Sequence, residues 1–161
     1  MASYSFLSTW CVSAPLERVW ALLCDVERYP DWWKGVRKVD VLEPGADGRG
    51  LGTLYRMQWR SRLPYSLTLD TRITRYEPPH LVEGQASGEL AGIGTWRLYE
   101  SPAGTAAIYS WEVRTTPAWM NWLAPIARPA FTYNHDLVMR WGAEGLARTL
   151  GAELIAPRLN V

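Results

Sequence analysis

Tyr4, Phe6, Trp10 and Val12 share one parity, with Ser5 and Thr9 on the other. This is the period-2 pattern of a half-buried strand, here over residues 4–12. Ser13-Ala14-Pro15 then opens a helix, with Pro15 in its first turn and Glu17 near the positive end of the helix dipole. Leu16, Val19, Trp20 and Leu23 recur at i, i+3, i+4 and i+7, so this helix packs by one face. Asp25 is placed to cap a second, short helical turn whose length Pro30 limits. Two adjacent tryptophans, Trp32 and Trp33, stand at the end of that turn.

From Val36 onward the pattern changes to strands over 36–43, 51–60, 64–76, 80–87, 90–100 and 105–115. They are separated by EPGADGRG, SRLP, EPPH, SGEL and SPAGT, all rich in turn formers. Connections this short imply an antiparallel meander. Tyr55, Met57 and Trp59 alternate with Arg56, Gln58 and Arg60; Tyr65, Leu67 and Leu69 with Ser66, Thr68 and Asp70; Tyr109, Trp111 and Val113 with Ser110, Glu112 and Arg114. One face is apolar and aromatic, the other wet. A one-residue slip at a bulge would exchange the two sets.

After Pro117 a helical stripe of Trp119, Trp122, Leu123 and Ile126 is interrupted by Pro125 and Pro129, and a long helix is expected from about Thr132 to Leu150. Its Asn134, Val138 and Trp141 are expected on one face, with His135 turned about 100 degrees from it. Residues 1–152 read as a single domain and 153–161 as a C-terminal tail.

The order is therefore strand, two short helices, six-strand meander, long helix: an α+β chain whose seven-stranded antiparallel sheet has one long helix to cover its apolar face. Glycines at 84, 88, 92 and 94 offer places for the sheet to bend. A curved sheet gripping one helix leaves a pocket unless large side chains fill it.

Composition narrows the function. At 161 residues one domain can bury roughly 70% of its unfolded surface. Seventeen basic against sixteen acidic residues leave a net charge of +1, too little to draw a nucleic acid backbone. Cys11 and Cys24 form neither a disulfide framework nor a metal knuckle, which suits a reducing cytoplasm. The N-terminal stretch has neither the basic start of a signal peptide nor the length to span a bilayer, so no stable membrane insertion is expected. Ten tryptophans and eight tyrosines against two phenylalanines mean that most aromatic surface carries a polar handle, which suits cavity walls.

Three stretches, FLSTWCVSAPLERVWALLCDVERYPDWWKGV, ITRYEPPHLVEGQASGELAGIGTW and NHDLVMRWGAEGLARTLGA, together resemble the START/polyketide-cyclase superfamily, also called SRPBCC and including Bet v-like proteins. The nearest members are bacterial proteins labelled polyketide cyclase/dehydrase. The likeness spans residues 4–152. It implies a helix-grip fold, with the sheet wrapped around the last helix and an elongated cavity closed by the two small helices. Fold alone does not choose among that superfamily's carriers, cyclases, receptors and interaction domains.

The residues expected to line such a cavity are Trp10, Tyr55, Met57, Trp59, Tyr65, Leu67, Trp96, Tyr109, Trp111, Val138 and Trp141, with Trp32 and Trp33 either over its mouth or sealing the core, and Asn134 and His135 as polar members. With only His80 and His135 available, no metal site or other cofactor is expected. No serine sits on a nucleophile elbow, and neither cysteine has a basic neighbour, so no catalytic residue is assigned. His135, in the trio Asn134-His135-Asp136 at the start of the long helix, is suited either to moving protons near neutral pH or to a capping or structural role. The tryptophan stripe either covers the open edge of the sheet or touches a membrane surface.

The chain is thus expected to bind a small hydrophobic molecule, lipid-like, aromatic or polyketide-like, as a monomeric or weakly dimeric carrier. A cyclase acting on a bound aromatic precursor and a protein-interaction domain with a filled interior are the alternatives.

Overall fold

The computed structural model describes residues 2–46 and 50–155; the expected C-terminal stretch beyond 155 and part of the 44–50 turn lie outside the described residues. β1 (Ser3–Val12) leads into α1 (Leu16–Cys24), a 3-10 turn at Val26–Arg28 and α2 (Tyr29–Trp32). Six strands follow: β2 (Val36–Glu43), β3 (Leu54–Arg60), β4 (Ser66–Glu77), β5 (Leu81–Gly88), β6 (Leu90–Ser101) and β7 (Gly104–Thr115). α3 (Ala118–Leu150) closes the order.

The strands form one antiparallel sheet in the order β1-β7-β6-β5-β4-β3-β2. The six meander strands pair in sequence, and β1 joins at the far side against β7. α1 and α2 therefore carry the chain from one edge of the sheet to the other. This is the expected helix-grip arrangement, a curved seven-stranded sheet around a long terminal helix with two short helices after the first strand. Residues 153–155 also lie against the end of β1, with the Ile155 N–H donating to the Cys11 carbonyl at 2.8 Å.

The alternation fixes which side chains turn inward. Met57 pairs with Leu69 and Trp59 with Leu67 across β3 and β4, while Arg56 and Asp70 form a bidentate ion pair on the outer face. In β4 the register shifts between Ile73 and Arg75. The extra residue lets both Ile73 and Tyr76 face the interior although they differ in parity.

Three local expectations need correction. Pro15 precedes α1 as its cap, its carbonyl accepting from the Arg18 and Val19 N–H groups, so it is not a residue of the first turn. Asp25 makes no side-chain cap bond to the 3-10 turn. Pro125 and Pro129 do not interrupt the last helix, which runs for 33 residues through both. Each proline removes one N–H, freeing the carbonyls of Asn121 and Pro125. Both rings lie on the exposed side, where water can meet what they leave unpaired.

Two clusters make up the core. The larger gathers Trp10, Val19, Trp20, Leu23, Tyr29, Trp32, Trp33 and Leu146 around α1, α2 and the second half of α3. The smaller gathers Tyr4, Leu69, Leu90 and Val113 under the first half of α3.

Candidate ligand cavity

Between these clusters the interior is hollow. A cavity of about 200 Å³ lies under α3, walled by β3 to β7 and ended by α1 and the 3-10 turn. A smaller pocket of about 50 Å³ shares Leu63, Tyr65 and Phe131 with it and extends the hollow to Trp119. Among the described residues lining the main cavity, none is Lys, Arg, Asp or Glu.

Sheet parity brings Tyr55, Met57, Trp59, Leu67, Trp96, Tyr109 and Trp111 to this wall, the turn before β4 adds Tyr65, and α3 adds Asn134, His135 and Val138. Trp33, the residue that caps the end of α2, completes the set. Its indole N–H donates to the Val138 carbonyl at 2.8 Å, and its ring meets Trp59 edge-on at 5.2 Å. Three expected site residues lie elsewhere. Trp10 is packed edge-on against Trp33 beneath Gly142, in the solid cluster. Trp32 stacks on Trp33 at 5.4 Å on the side away from the cavity.

Trp141 sits under the Lys34 ammonium, 4.7 Å from its ring centre. The inward stripe of α3 is Phe131, Asn134, His135, Val138 and Met139, at i, i+3, i+4, i+7 and i+8, and Trp141 falls off that stripe.

Trp32 and Trp33 are each only 3% exposed, so neither is a lid over an open mouth. They are the plug at the closed end. The smaller pocket lies at the other end, beside the β3–β4 turn and the first half of α3. There Trp119 meets Tyr65 edge-on at 5.5 Å, but Trp122 and Ile126 are 82% and 83% exposed. The stripe does not cover the sheet edge as one of its two readings required.

His135 is the best placed polar group. Its ring stacks on Phe6 at 3.9 Å and on Trp111 at 5.6 Å. Nδ1 is 3.3 Å from an Asp136 carboxylate oxygen. A carboxylate only accepts, so Nδ1 carries the proton and Nε2 presents a lone pair. Burial pulls the imidazole below its ordinary value, outweighing the bond to Asp136, and keeps it neutral.

Nε2 is buried without a partner. Two more wall residues hold a polar atom in the same condition, Asn134 Oδ1 and Trp59 Nε1. A fourth such atom, Trp32 Nε1, lies in the solid cluster. Burial pushes the Cys24 thiol, another wall group, up to about 12, so it stays protonated. It likewise raises the Tyr109 phenol, which remains neutral.

Sequence reasoning missed Tyr29, Tyr76, Val82, Phe131 and Met139 on the wall. Tyr76 was hidden by the β4 bulge. Phe131 and Met139 complete the helical stripe through Asn134 and His135, and that spacing could have found them.

A family model described as "Polyketide cyclase / dehydrase and lipid transport" matches residues 12–133. No curated protein sequence matches the chain significantly. Among solved structures, the chain resembles the Zhui aromatase/cyclase from Streptomyces sp. R1128 with a TM-score of 0.73 and 19% identity over 93% of each chain. It also resembles a START superfamily protein from Mycobacterium smegmatis, with a TM-score of 0.69 and 15% identity over 92% of this chain and 97% of that one. The di-domain ARO/CYC BexL from the BE-7585A biosynthetic pathway gives a TM-score of 0.75 and 20% identity over 94% of this chain. The chain spans about half of that protein, 51% of its length. At these identities the likeness is one of fold.

Proposed function

The chain belongs to the polyketide cyclase/dehydrase and lipid transport family, and on that premise we propose that it holds a small hydrophobic, aromatic or polyketide-like molecule in its internal cavity as a non-catalytic binding or transport protein. The observation that carries this reading is the ring-lined hollow with no charged residue among its described wall residues. Desolvation of a guest against those rings would supply most of the affinity, at roughly 25 cal/mol per Å² of apolar surface removed from water. No cofactor is needed for such a role, and a monomer or weak dimer suffices. The free thiols of Cys11 and Cys24 fit a cytoplasmic setting, and no described helix is long and apolar enough to cross a membrane.

One observation favours a second reading. His135 is a wall residue whose imidazole is held neutral and whose Nε2 has no partner, the kind of group a general base in a cyclase would be. Native mass spectrometry of freshly purified protein tests the first reading. A co-purified apolar molecule is expected, and a protein that carries none and binds no aromatic probe overturns it. Turnover of the identified molecule, abolished by His135→Ala with binding retained, would transfer the assignment to the cyclase.

A further inference from the structure

We propose that the exposed apolar stripe on the first half of α3 pairs with the same stripe on a second copy of this chain, forming a weak two-fold dimer. The pairing lies outside the cavity and does not depend on what the cavity holds.

Trp122 and Ile126 are the most exposed large apolar side chains among the described residues, and Trp119 and Tyr133 beside them are about half exposed. With Pro129 between the last two, Trp119, Trp122, Ile126 and Tyr133 alternate at spacings of three and four residues. That alternation is the seam by which one helix meets another, and it is narrower than the face a helix lays on a membrane. The basic flank of a membrane-surface helix is also missing. Arg128 is the one charged residue from Ala118 to Tyr133, and its guanidinium lies 4.8 Å from the Tyr4 ring centre, toward β1.

The seam is its own complement. Trp119 and Tyr133 lie one heptad to either side of Ile126. An antiparallel copy on a two-fold axis through Ile126 therefore sets Trp119 against the partner's Tyr133 and Ile126 against the partner's Ile126. No charge meets its like there, and aromatic rings in an uncharged centre are what interface cores are made of. The Tyr133 hydroxyl accepts from Arg62 of the β3–β4 turn at 3.3 Å, which brings a guanidinium beside the partner's Trp119. At 150–250 Å² for a whole aromatic side chain, the exposed parts of the stripe amount to roughly 500 Å² on each copy. That is large for a surface left bare on a monomer, yet short of the roughly 800 Å² that a stable interface takes from each partner. The dimer is accordingly a weak one, and dilute chain is monomeric.

Sedimentation velocity of the full chain over a concentration series tests this. Monomer is expected to give way to dimer with a Kd on the order of tens of micromolar. Ile126→Asp sets two carboxylates on the axis and should weaken the dimer at least about tenfold, with the circular dichroism spectrum of dilute chain unchanged. Trp122→Ser should weaken it similarly and carries the test if Ile126→Asp fails to fold. With a short bismaleimide, Ile126→Cys should cross-link to its own copy. Trp119→Cys should cross-link to Tyr133→Cys in a mixture and not to itself, against a control of the wild-type chain with its Cys11 and Cys24. A chain monomeric throughout the series, a dimer indifferent to both substitutions, or another cross-linking pattern would overturn the proposal. So would a monomer that sediments with phosphatidylglycerol vesicles, which would give the stripe to a membrane surface.

Discussion

The two halves of the interior are built from the same rings, yet one is solid and the other hollow. At the closed end, α3 presents Gly142, Ala143 and Gly145, and the absent side chains let Trp10, Trp32 and Trp33 press against the helix backbone. A Cβ at Gly145 would collide with the Trp32 carbonyl, and one at Gly142 with the Trp33 and Trp10 rings. At the other end α3 presents Phe131, Asn134, His135 and Val138, side chains that stand the helix away from the sheet. Small residues produce the dense half and large ones the open half. Aromatic content alone therefore says nothing about where a protein keeps its space.

This contrast can be broken most forcefully at the solid end. Gly145→Val should destabilise the protein by about 3 kcal/mol, read by chemical denaturation, because the clash is with backbone that cannot turn aside. In the hollow half the same kind of enlargement should be tolerated. Ala86→Leu fills the cavity from β5 and is expected to change stability by no more than about 1 kcal/mol, while weakening a bound aromatic probe by about tenfold. A melt as damaged as that of Gly145→Val would erase the distinction between the halves.

A subtler difference is electrostatic. The folded state holds His135 below its ordinary value, so the unfolded chain binds more protons than the folded one as pH falls past about 6.5. Stability should decline with acidification from that point until the folded imidazole also protonates, and then level off. The groups facing it are Asp136 on its own helix and the rings of Phe6 on β1 and Trp111 on β7, which bring no further charge. His135→Phe should flatten this part of the pH profile. Smallest of all, Trp122→Ser on the exposed face of α3 should shift stability by no more than about 0.5 kcal/mol in the same measurement.

Much of this was legible in advance because parity is a strong constraint. Once Tyr55, Met57 and Trp59 alternate with Arg56, Gln58 and Arg60, the register of β3 is settled by which set can be buried. What escaped the sequence depends on distances between elements. Nothing in the Trp32-Trp33 pair tells which ring meets a cavity and which meets Gly145; that follows from how closely α2 docks on α3. The β4 bulge is equally silent until the partner strand is in place. Prolines misled in the other direction. Their cost was read as an interruption, and the exposed setting of Pro125 and Pro129 allows the helix to continue.

Those two prolines give α3 unequal mechanical character along its length. The portion from Thr132 onward keeps its full ladder of backbone bonds, anchored by the tryptophan plug, whereas the portion beside the smaller pocket is missing two rungs. In deuterated solvent the amides of the latter should trade their protons first, so the molecule breathes from the side of the smaller pocket.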